Sequence, residues 1–183
     1  MSLARIRIAA RLLAVATMAA LTAGCFQPMY AEHADGTPGL RDKLLGVELP
    51  PVDKPNASPE ARIGVEVRNA LAFKLYGTAT GTTPTHKLVL RFTTSRSSLI
   101  VSPTTGLPTS ENFGIDAQYN LLDVGTNKSV MTGTTFSRVT YDMPGSYQRF
   151  ARLRALRDAE DRAAQEIADN IQTRLASFFF AGT

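Results

Sequence analysis

The sequence predicts an α+β fold: a two-layer α/β sandwich with two helices packed on one face of a mostly antiparallel sheet of about four strands. Three observations carry this expectation. Apolar residues recur every three or four positions over 59–76 and again over about 146–178, the spacing of one helical face. Between these stretches, three segments at about 86–101, 111–124 and 128–142 carry the period-two patterning of strands. Amphipathic helices and a sheet with one apolar face must all cover apolar surface, and stacking the two layers does this.

The chain opens with a targeting pattern. Arg5, Arg7 and Arg11 form a basic region without acids, and residues 12–21, "LLAVATMAAL", are apolar. That run is too short for a bilayer core of about 30 Å, which needs about 20 residues, so residues 1–24 read as a cleaved signal peptide. "LTAGCFQPMY" follows, with small residues directly before Cys25, the only cysteine of the chain. This is a lipobox pattern, which predicts diacylglyceryl transfer to the Cys25 thiol, cleavage before Cys25 and acylation of the new amino terminus. Leucine is commonest three residues before such a cysteine; here Thr22 holds that place, with Leu21 one further out. Buried acyl chains at about 0.8 kcal/mol per CH₂ would anchor the protein to a membrane. Phe26, rather than an aspartate, follows the cysteine, which favours the outer membrane.

Loss of 24 of the 183 residues leaves 159, enough for one domain with a core. The whole chain has 20 Lys and Arg against 16 Asp and Glu. Without the three leader arginines this becomes 17 against 16, a net charge of +1 instead of +4. The compositional argument for nucleic-acid binding therefore disappears. Lipidation of Cys25 leaves no thiol for a disulfide, metal or nucleophile. His33 and His86 are far apart and have no acidic cluster beside them, so neither a metal site nor a Ser-His-Asp triad is expected.

The elements follow in order. Residues 25–57 read as a lipidated tether, interrupted by Pro28, Pro38, Pro50, Pro51 and Pro55, with a short strand candidate at 44–49. The domain proper is expected over 58–183. Ser58 is an N-cap, Pro59 suits the first helical position, and Gly77 suits the end of a helix over 59–76. Its stripe is Ile63, Val67, Leu71 and Leu75. The three strands form a meander, with "GTNK" (residues 125–128) as a hairpin connection and residues 102–110 as a longer Pro/Thr/Gly loop. "PGS" at 144–146 precedes the last helix, which at about 33 residues would reach about 50 Å. That is long enough to overhang a small sheet.

Catalytic motifs are missing: there is no Gly-rich phosphate loop, GxSxG or HExxH. "DAED" (residues 158–161), flanked by Arg154, Arg157 and Arg162, reads as a solvated, ion-paired helix face. An enzyme is not expected, and no cofactor or metal is implied. Arg91, Arg96, Lys128 and Arg138 are cations on strand segments. Grouped, they would suit phosphates or carboxylates of an anionic lipid; scattered, they would be ordinary surface and edge charge. "FFF" at 178–180 reads either as a core plug or as an exposed contact.

With "LTAGCFQPMY" at the lipidation site and "YDMPGSYQRFARLRALRDAEDRAAQEIADNIQTRLASFF" in the last helix, the chain resembles the lipopolysaccharide-assembly lipoprotein family LptE in its alphaproteobacterial form. The order strand, helix, three strands, helix also agrees. Many relatives carry glycine after the cysteine where Phe26 stands here. The resemblance implies a non-enzymatic, outer-membrane lipoprotein, anchored by Cys25, with its domain on the periplasmic side and within a β-barrel partner, LptD. Such proteins plug and help assemble that barrel for insertion of lipopolysaccharide into the outer leaflet. By residue type, Arg91, Arg96 and Arg138 are the implied lipopolysaccharide contacts, and residues 102–110 are the segment expected to enter the barrel. The alternative is an auxiliary lipid-binding lipoprotein of an ABC-type envelope transporter; a purely structural envelope lipoprotein is a third reading. Partner identity separates them.

Overall fold

The computed structural model describes residues 36–78, 82–143 and 148–181. Cys25, the leader, the tether up to residue 35 and the "PGS" start signal lie outside the described residues. From Leu40 onward the chain forms one compact unit.

Its elements are α1 (Leu40–Leu45), β1 (Val47–Glu48), α2 (Pro59–Tyr76), β2 (His86–Val101), β3 (Pro108–Asp123), β4 (Ser129–Asp142) and α3 (Arg149–Ala181). The sheet runs β1-β2-β3-β4. β1 pairs with β2 in parallel, Val47 with His86 and Glu48 with Lys87, whereas β2–β3 and β3–β4 are antiparallel. The sheet is therefore mixed, though antiparallel over nearly all of its length.

Local chemistry explains the boundaries of α2. The Ser58 Oγ accepts the Ala61 N–H at 3.0 Å, Pro59 fills the first turn, and Gly77 ends the helix at φ 60°. That φ is strained for any residue with a Cβ. The expected strand at 44–49 is different. Leu40 and Leu44, four apart, make one helical face and are buried, and only Val47 and Glu48 remain extended before Pro50-Pro51. The Gly46 carbonyl accepts the amides of Thr85 and His86, which seats this segment on β2. Residues 40–49 thus belong to the core rather than to a tether. The loop between β2 and β3 is shorter than 102–110, because β3 already begins at Pro108.

Ile63, Val67, Leu71 and Leu75 of α2 and Ala163, Ile167, Ile171 and Leu175 of α3 are buried against Leu88, Phe92, Phe113, Ile115 and Leu121 of the sheet. Each fully buried Val, Leu, Ile or Phe side chain among these contributes about 1.5–3 kcal/mol of transfer free energy. In α3 every buried position lies at or after Ala159, so its first three turns sit at the periphery. The three phenylalanines of 178–180 divide. Phe179 is buried edge-on to His86 at 5.1 Å, Phe178 is part-buried, and Phe180 faces solvent. On β4, Gly133 sits under the Tyr119 ring: a Cβ there would lie 2.9 Å from Cε2 and closer still to Cζ and Oη.

Candidate functional site

Strand alternation sorts the arginines. On β2, Leu88 and Phe92 are buried against the helices, so Arg91 faces the uncovered side of the sheet and Arg96 the helix side. On β4, Ser137, Val139 and Tyr141 are buried, so Arg138 faces the uncovered side. Arg91 is level with Gln118, and Arg138 with Gly114. Four residues along the strand (about 14 Å) and two strand spacings (about 10 Å) put their Cα atoms about 17 Å apart. The three arginines do not form one cluster.

Arg138 is already engaged. Its Nη2 donates to both Asp116 carboxylate oxygens, at 2.7 and 2.8 Å, and its Nη1 donates to the carbonyls of Ser137 and Ile115. Its guanidinium also lies 5.6 Å from the Phe136 ring centre. The side chain crosses Gly114, where a Cβ would meet Arg138 Cδ at 2.9 Å. Arg91 is exposed and forms no ion pair among the described residues. It lines two adjoining grooves on the open face, of about 380 and 560 Å³, which share Gln118 and Thr134 with it. Threonines, Gln118 and Asn120 make this face hydrophilic, with Phe136 as its main apolar point.

Arg96 belongs to a different constellation. Glu160 of α3, expected on a solvated face, is only 2% exposed. Its Oε2 accepts from Arg62 Nη2 of α2, and its Oε1 lies 3.5 Å from Arg96 Nη2. A buried carboxylate is stable only when paired, and here α2, β2 and α3 each contribute one member. The solvated part of "DAED" is Asp158 and Asp161, and Asp158 pairs with Arg162 at 2.8 Å. Beside Glu160 opens a cleft of about 630 Å³, with Arg157, Val65 and Leu153 among its walls. No local signal marks Arg62 and Glu160 as partners, since 98 positions separate them.

Two further polar contacts tie sheet edges to their neighbours. Ser137 of β4 donates to Glu166 of α3 at 2.6 Å, and the Tyr141 hydroxyl donates to Glu111 at 2.5 Å. Burial, reinforced by the Glu111 hydrogen bond and charge, pushes the Tyr141 phenol up to about 12. At the far end of the β2–β3 hairpin, Leu99, Ile100, Val101 and Leu107 are each about half exposed around the loop at 102–107. Among the described residues no cluster of His, Cys, Asp and Glu can hold a metal, and no helix is long and apolar enough to cross a membrane.

The family model described as lipopolysaccharide-assembly, LptE, matches residues 45–175, most of the chain. The protein belongs to the LptE family. Its expected lipopolysaccharide-assembly role and lipoprotein character accord with that membership. Among solved structures, the chain is similar to a Caulobacter crescentus protein assigned as a lipoprotein, at 25% identity and a TM-score of 0.60, covering 79% of this chain and 97% of that one. It shares its fold with rare lipoprotein B of Shewanella oneidensis, at 18% identity and a TM-score of 0.50, covering 73% of this chain and 95% of that one. A search of curated proteins finds no match. LptE membership accounts for the two-layer fold.

Proposed function

We propose that this LptE-family chain is a non-enzymatic outer-membrane lipoprotein that plugs an LptD-type β-barrel, assists its assembly, and so serves insertion of lipopolysaccharide into the outer leaflet. The family match over residues 45–175 carries this reading. The physical features accord with it. Acylated Cys25 holds the domain at the membrane and raises its effective concentration at the barrel. The open sheet face, rich in hydroxyl and amide groups, suits a water-lined lumen. The helix layer gives that face a rigid support. The hairpin end at 99–107 is the segment that enters the barrel. Arg91 offers an unspent guanidinium to lipopolysaccharide phosphates on the open face, Arg138 is held by Asp116, and Arg96 acts from the helix side.

The test is affinity purification of the tagged protein from outer membranes in mild detergent, with partners identified by mass spectrometry. One barrel of the LptD type per lipoprotein is expected, and depletion of the lipoprotein should lower correctly assembled barrel. Recovery of inner-membrane transporter subunits in place of a barrel would overturn the proposal.

A further inference from the structure

On the open sheet face Arg138 is spent on Asp116, and Arg91 is the one guanidinium of β2 there, with Lys87 four residues before it on the same face. Available guanidinium concentrates instead in the cleft between the start of α2, the far half of β2 and the first half of α3. Arg62, Arg96 and Arg157 all line it, against the single carboxylate of Glu160. The Arg157 side chain forms no ion pair among the described residues. Arg62 and Arg96 are 40% and 48% exposed although each engages Glu160. A guanidinium has five N–H donors, so both keep donors for a second acceptor. The nearby acid Asp158 is occupied by Arg162. The first turn of α2, with Ser58, Pro59 and Ala61, forms one wall and presents the positive end of the helix dipole. Val65 and Leu153, about half exposed, supply an apolar wall beside the charges.

Three guanidiniums with the half-exposed aliphatic side chains of Val65 and Leu153 beside them match a phosphorylated amphiphile better than a fully polar anion. We propose that this cleft binds the phosphate of an anionic amphiphile, with Arg96, Arg157 and Arg62 contacting the phosphate and Val65 and Leu153 lying along the start of the acyl chain. Glu160 fixes Arg62 and Arg96 in place before the ligand arrives. The proposal rests on the reading of this protein as a lipoprotein working on anionic lipid, and adds a second lipid contact on the side opposite the open sheet face.

The full lipoprotein, in neutral dodecyl maltoside micelles, is titrated with fluorescent phosphatidic acid and, separately, with phosphatidylcholine. Phosphatidic acid should bind in preference. Arg157→Gln should weaken it about tenfold, without lowering the melting temperature, because Arg157 takes no part in the Glu160 contacts. Leu153→Ser should also weaken it, and Arg41→Gln, an exposed cation on α1 outside the cleft, should change it less than about twofold. Equal weakening by Arg157→Gln and Arg41→Gln would overturn the site, since binding would then follow net charge. No preference over phosphatidylcholine would overturn it too. Displacement of the lipid by an equimolar amount of inorganic phosphate would overturn the amphiphile assignment. The barrel is read separately: Arg157→Gln should still co-purify with it, so loss of lipid binding and loss of the barrel partner are distinguishable results.

Discussion

Removing Arg62 should cost far more than neutralising Glu160, although both changes break the same ion pair. The Glu160 carboxylate is 2% exposed, whereas Arg62 and Arg96 are 40% and 48% exposed. In Arg62→Ala the carboxylate stays buried and keeps only Arg96, at 3.5 Å. Stranding a buried charge costs about 3–5 kcal/mol, and the surviving partner places this case near about 3 kcal/mol. In Glu160→Gln the buried group is neutral and the two half-exposed guanidiniums turn to water, so the loss is about 1 kcal/mol. For a chain of this size each kcal/mol moves the melting temperature by about 2–4 °C, so Arg62→Ala should melt about 6–12 °C lower and Glu160→Gln only about 2–4 °C lower. Thermal and urea unfolding followed by circular dichroism would measure both. The double variant Arg62→Met with Glu160→Met should recover most of the loss, because apolar groups of similar volume need no partner. If Glu160→Gln proves as costly as Arg62→Ala, or if the double variant is the least stable of the three, burial of the carboxylate does not govern this site.

Gly133→Ala should destabilise the fold by about 1–3 kcal/mol in urea melts, because its Cβ would overlap the buried Tyr119 ring. Tyr141 should resist ionisation in a spectrophotometric titration, its phenol shifted from 10.0 to about 12 by burial and by Glu111. A phenol whose folded value is raised stabilises the fold fully below pH 10.0, and this contribution is lost as pH rises from there toward about 12. Tyr141→Phe should therefore flatten the alkaline limb of the stability profile. Cys25→Ala should abolish fatty-acid labelling and leave the precursor uncleaved, as measured by radiolabelled palmitate and by mass; labelling that persists would refute lipidation at Cys25.

Much of this architecture was legible in the sequence because it rests on local chemistry. Ser58, Pro59 and Gly77 mark the ends of α2 through hydrogen bonds and φ angles that involve only their neighbours, and they lie where the pattern put them. The period-two alternation of β3 placed Phe113, Ile115, Ala117, Tyr119 and Leu121 on one face, and all five are buried. The short helix α1 was missed because Leu40 and Leu44 give a single repeat, too few to set a period against the extended run that follows.

The sequence by itself thus determined the layers, the order of elements and, through the family resemblance, the class of function. What only the tertiary structure decided was the partnership of charges. Arg91, Arg96 and Arg138 look equivalent along the chain, yet strand facing and register give them separate surroundings: an open groove, a buried glutamate and a bidentate aspartate. Glu160 looked solvated among its charged neighbours, but the rotation of α3 against α2 and β2 turns it inward, where it must be paired. Helical and strand periodicities are set by the backbone and act over a few residues. Which charge meets which depends on packing between segments up to 98 positions apart, and no local pattern encodes it.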